Sequence, residues 1–141
     1  MKYIKTYEGY GYEWKNIYEK DGKLYIHLYK LASEMEESAK GDKYIVAKKE
    51  NEYCKLVKKL LRGNVITFSC ADCSKKEHTG ICDRVEFHSG LDSTPDDVFQ
   101  LEYIHIKLEN MKGDENIEDD KVIVHLDTDP EIYRETQKYN L

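Results

Sequence analysis

The dipeptide Asp21-Gly22, set between two runs that alternate apolar and polar residues, constrains this chain more than any other feature. A two-residue loop of this composition favours a type I′ turn, whose twist matches that of paired strands. Residues 13–20 and 23–30 therefore read as a β-hairpin. So short a turn fixes the register: Tyr18 falls opposite Tyr25, Asn16 opposite His27 and Trp14 opposite Tyr29 on one face, with Ile17 opposite Ile26 and Lys15 opposite Leu28 on the other. An N-terminal hairpin with Trp14, Tyr18, Tyr25 and Tyr29 on one face is the expectation.

Helical periodicity comes next. Tyr53, Leu56, Val57 and Leu60 recur at the spacing of one helix face within residues 50–62. Glu50 and Glu52 suit the positive end of that helix, Lys58, Lys59 and Arg62 its negative end, and Gly63 can terminate it. A weaker helix is expected at 31–39, a strand at 44–47, strands at 65–69 and 84–88, and a helical turn at 94–99. Residues 101–108 alternate as a half-buried strand, residues 111–120 read as an acidic loop, 121–127 as a strand, and Asp129-Pro130 as the start of a terminal helix. Strands and helices mix without a βαβ rhythm. The fold class expected is α+β, a mostly antiparallel sheet with an N-terminal hairpin and two or three helices, in one domain spanning residues 1–141.

The densest chemical pattern is Cys70, Cys73, His78 and Cys82. Three thiolates and an imidazole can surround a tetrahedral zinc, because a tight turn brings Cys70 and Cys73 together. The arrangement is similar to a zinc knuckle, whose last spacing is usually one residue longer, over these thirteen residues alone. His88 is an alternative fourth ligand within the loop region 70–88. A Cys70 to Cys82 disulfide and inert thiols compete with a structural zinc. Cys54, beside the apolar helix face, reads as a buried small hydrophobe.

A second constellation joins His105, His125 and Asp127, with Asp129 nearby. If their strands were neighbours, two imidazoles and a carboxylate could hold a metal for hydrolysis. Against that, Asp127 and Asp129 can simply end a strand and cap a helix. No phosphate-cradling glycine loop and no nucleophile elbow occurs, so an enzyme is not the favoured reading.

Charge is uneven. The net charge is −6, yet residues 1–69 carry 14 Lys+Arg against 10 Asp+Glu, and residues 70–141 carry 8 against 18. Two readings of function follow. The first is a small acidic protein-binding module, an inhibitor that presents Asp119 and Asp120 to a basic partner, in the general manner of immunity proteins, with a zinc-stabilised loop. The second is a single-stranded nucleic-acid binder that uses the aromatic hairpin and a basic helix edge of Lys55, Lys58, Lys59 and Arg62. No run approaches the roughly twenty apolar residues of a membrane span, so a cytoplasmic protein with no membrane partner is expected. An exposed edge strand or the tyrosine face could also pair two copies as a homodimer.

Overall fold

A computed structural model describes residues 14–69, 77–89, 98–111, 115–116 and 121–138. Seven strands form one sheet in the order β1-β2-β7-β3-β4-β5-β6, and each neighbouring pair is antiparallel. The strands are β1 (Ile17–Lys20), β2 (Lys23–His27), β3 (Val65–Phe68), β4 (His78–Ser89), β5 (Leu101–Leu108), β6 (Glu115–Asn116) and β7 (Lys121–His125). Three helices are described: α1 (Leu28–Ser38), α2 (Lys43–Leu61) and α3 (Pro130–Lys138). The α+β class and the N-terminal hairpin are as expected.

The hairpin holds its register where it is paired. Ile17 lies opposite Ile26 and Tyr18 opposite Tyr25. Asp21 and Gly22 both take positive φ, 55° and 77°, as a type I′ turn demands. The outer rungs differ from expectation. The His27 N–H still donates to the Asn16 carbonyl at 3.0 Å, but the chain turns into α1 at Leu28, so Trp14 does not pair with Tyr29, nor Lys15 with Leu28. Helical spacing explains it: Leu28, Leu31, Ala32 and Met35 share one buried stripe of α1.

A second correction concerns 44–47, which is helix and not strand. The side chain of Asp42 accepts hydrogen bonds from the Tyr44 and Ile45 N–H groups at 3.0 and 3.3 Å, so α2 begins at Lys43, seven residues before the start expected at Glu50. Val46, in the first turn of the helix, joins Tyr53, Leu56, Val57, Leu60 and Leu61 on the buried face. Tyr44 and Ile45 point outward, which is why the local run looked like a strand. The strand read at 84–88 is also longer: β4 begins at His78. Most of the turn expected at 94–99 lies outside the described residues.

Both α1 and α2 bury their stripes against one face of the sheet, on Ile17, Leu24, Ile26, Ile66, Phe68, Val85, Ile104, Ile106, Val122 and Val124. Each of these buried apolar side chains contributes about 1.5–3 kcal/mol relative to exposure. Tyr53, wholly buried, donates its hydroxyl to the Leu28 carbonyl at 2.8 Å, satisfying a polar group in the core. Two helix carboxylates reach across to the start of β5: Glu36 accepts from the Phe99 N–H at 2.6 Å and Glu50 from the Leu101 N–H at 2.8 Å. Burial raises the pKa of Glu50, and the backbone N–H groups oppose that shift.

Candidate functional site

Alternation along paired strands decides what the other face of the sheet presents. Directly paired residues share a side, so the row Tyr18, Tyr25, Ile123, Thr67 and Thr79 runs across five strands on the side away from α1 and α2. Lys23 pairs with His125 and His27 with Lys121 on that same side. Beyond a bulge between Cys82 and Arg84, the outward rungs are Arg84 with Lys107, Glu86 with His105, and His88 with Tyr103. Four of the five histidines therefore share one sheet face.

The charge of that face is opposite to that of the chain. Its outward positions carry Lys20, Lys23, Lys121, Arg84 and Lys107, against Glu86 and the bulge residue Asp83. The two carboxylates lie at one end, where Arg84 meets Glu86 at 3.1 Å and Lys107 meets Asp83 at 3.7 Å. The outward positions of β1, β2, β7 and β3 include no acidic residue. The hairpin half is thus a lysine-flanked aromatic surface, with the Asp127 carboxylate beside Gly22 and His125 at its end.

Rings stack at both ends of this face. Tyr18 and Tyr25 lie 5.3 Å apart at 16°, with His27 5.8 Å from Tyr18 and the Lys121 ammonium 6.0 Å from the Tyr25 ring. Tyr18 remains 44% exposed. At the far end His88 stacks on Tyr103 at 4.8 Å, and His105 sits 4.6 Å from His88. Between them, Thr67 bridges Thr79 at 2.8 Å and His125 at 2.7 Å. Burial, with help from Lys23, lowers the pKa of His125, and Asp127 opposes that. α3 is held at this side by hydrogen bonds from Tyr133 to the Thr79 carbonyl at 3.5 Å and from Arg134 to Glu109 at 2.8 Å.

The aromatic residues read from the sequence divide between two faces. Tyr18 and Tyr25 belong to the open sheet face, whereas Trp14 and Tyr29 pack at the edge of the core beside the helices. The basic helix edge of Lys55, Lys58, Lys59 and Arg62 is likewise on the helix side, so the hairpin and that edge do not form one surface. Asp119 and Asp120 lie outside the described residues.

The cysteine cluster also divides. Cys70 and Cys73 lie outside the described residues. His78 and Cys82 occupy an unbroken stretch of β4 paired to β3, four residues and roughly 13 Å apart, too far for one zinc bonded to both at about 2.0–2.3 Å. Cys82 is buried among core side chains, its Sγ 3.8 Å from the Arg84 carbonyl, and burial pushes its thiol pKa up to about 12. His78 packs against the Phe68 ring at 5.6 Å. His88, six residues beyond Cys82, is more distant still. Cys54, read as buried, is only half-buried beside the core, and burial raises its thiol to about 11. No group of three or more metal-ligating side chains is arranged for a metal among the described residues.

The His105, His125 and Asp127 constellation does not assemble. β5 and β7 are separated by β3 and β4, so the two imidazoles stand three strand spacings, roughly 14 Å, apart. Alternation correctly placed both histidines on one side, but strand order is not readable from alternation. The hairpin register had placed His27 on the tyrosine face, whereas nothing in the sequence showed that Lys121 and Ile123 of β7 would join it there.

Compared with protein-family models, curated proteins and solved structures, the chain matches none. No helix among the described residues is long and apolar enough to cross a membrane.

Proposed function

We propose that this protein is a binding module for single-stranded nucleic acid, and that the ligand lies on the sheet face away from α1 and α2. The observation that carries the reading is the stack of exposed Tyr18 on half-buried Tyr25 among Lys20, Lys23 and Lys121, on a face basic in a chain of net charge −6. Unpaired bases stack on exposed aromatic rings, while the ammonium groups track the phosphates. Duplex bases have no free faces, so a single strand is preferred. The far cluster of His88, Tyr103 and His105 offers a second stacking position on the same face.

The inhibitor reading rests on the acidic second half of the chain and the tyrosine surplus; Asp119 and Asp120 lie outside the described residues, so the described geometry does not bear on it. For the zinc read at Cys70, Cys73, His78 and Cys82, the separation of His78 and Cys82 along β4 leaves no arrangement in which both bind one ion.

The test is anisotropy of a labelled oligothymidylate of about twelve nucleotides, a length within the site sizes such modules occupy. Affinity should fall as salt rises, with a slope of about 0.7 per phosphate neutralised. Tyr18→Ala should weaken binding by about 1–3 kcal/mol, the worth of one stacked base. No saturable binding at low salt, or binding indifferent to Tyr18→Ala and Tyr25→Ala, refutes the proposal.

A further inference from the structure

On the opposite side of the sheet, where the chain enters β1, lies a groove of about 450 Å³ lined by Trp14, Met35, Lys49, Lys55, Leu56 and Lys59 together with Glu52. Its construction is specific. The carboxylate of Glu34 on α1 accepts from the Lys15 and Asn16 N–H groups at 2.8 and 3.1 Å and from the Asn16 side chain at 2.9 Å. That clamp fixes the backbone next to Trp14 and sets the indole beside α2, where the Lys49 ammonium lies 5.5 Å from its ring. Met35 and Leu56 supply an apolar floor. Lys49, Glu52, Lys55, Leu56 and Lys59 recur at three- and four-residue spacing, so one face of α2 forms the wall.

Three ammonium groups and one carboxylate line the groove, and Glu52 is already engaged by Lys49 at 3.4 Å. Lys55 makes no ion pair among the described residues. The excess charge is positive, beside an indole and an apolar floor. A ligand matching all three elements has a flat ring for the indole and an anionic group for Lys55 and Lys59. The volume lies in the range of small-ligand sites.

We infer that this groove is a nucleotide site: a base lies against Trp14 on the Met35 and Leu56 floor, and its phosphate meets Lys55 and Lys59. Trp14 precedes Tyr18 by four residues, so the groove and the tyrosine stack flank the same edge strand, β1, within roughly 14 Å of chain. The inference does not depend on binding at the sheet face, although one strand passing around β1 could occupy both.

Trp14 is the chain's only tryptophan, so its fluorescence reports on this end of the molecule; because Trp14 also borders a second cavity with Asn16, Tyr29 and Glu34, the lysine variants assign the signal to the groove. The full chain is titrated with adenosine monophosphate, adenosine, inorganic phosphate and the oligothymidylate. Saturable quenching is expected with adenosine monophosphate or the oligonucleotide, weaker quenching with adenosine, and none with phosphate. Quenching by the oligonucleotide alone assigns the nucleotide to a bound strand; quenching by both admits the free mononucleotide. Joint Lys55→Ala and Lys59→Ala substitution should weaken the effect about tenfold, whereas Tyr18→Ala should leave quenching by the mononucleotide unchanged. No saturable change with either nucleotide ligand, or an undiminished one in the double lysine variant, overturns the inference. Failure of the sheet-face reading would instead appear as oligonucleotide binding insensitive to Tyr18→Ala, with the quenching intact.

Discussion

Several side chains in this molecule are governed by how completely water has been removed from them. Cys54 and Cys82 are held as thiols by burial, with pKa values near 11 and 12, so neither presents appreciable thiolate near neutrality. Iodoacetamide labelling of the native protein at about pH 8, mapped by mass spectrometry, should therefore leave both unmodified, since the ordinary thiol pKa is about 8.5. Rapid labelling of Cys82 would contradict its place in the core. His125 titrates in the opposite sense. Its folded pKa is depressed, so the unfolded chain binds the proton more readily and stability rises with pH through the window between the two values. The contribution is full above the unfolded value of about 6.5 and is lost as pH falls through the folded one. Urea midpoints taken at about pH 7.5 and 5.5 should drop less for His125→Gln than for the wild-type chain.

Among the elements, the hairpin shows how far local chemistry reaches. Asp21-Gly22 specified the turn and the inner four rungs because both residues tolerate positive φ and a two-residue loop admits one register. An added Cβ at Gly22 would meet the Asp127 side chain at 3.1–3.3 Å as well as an unfavourable φ of 77°. Gly22→Ala should cost about 1–2 kcal/mol, read as a lowered urea midpoint with unchanged slope. A neutral outcome would mean that the turn relaxes. The apolar stripe of α2 was equally legible, from Tyr53 to Leu60. Its first turn was not, because Tyr44 and Ile45 are exposed apolar residues that mimic a strand, and only the Asp42 cap reveals the helix start. His105 and His125 illustrate a different limit. Each strand's alternation told which side its histidine takes, yet β3 and β4 intervene between them, and such long-range order has no local signature.

For the molecule as a whole, the decisive property is that its two described long helices cover one side of the sheet and leave the other, apart from where α3 meets Thr79, to outward positions drawn from six strands. Net charge pointed towards an acidic protein, but folding collects lysines from β1, β2 and β7 onto one face with Tyr18 and Tyr25. Neither composition nor spacing could show that, because the contributing residues lie as far apart in sequence as Tyr18 and Ile123. The central claim is that this face binds a single strand of nucleic acid, and the most direct measurement is nuclear magnetic resonance of the aromatic and backbone signals during titration with the oligothymidylate. The account predicts that the largest shifts fall on Tyr18, Tyr25, His27, Lys121 and Ile123, followed by His88, Tyr103 and His105. Shifts confined to α2 and Trp14, or no shifts at all, would contradict it.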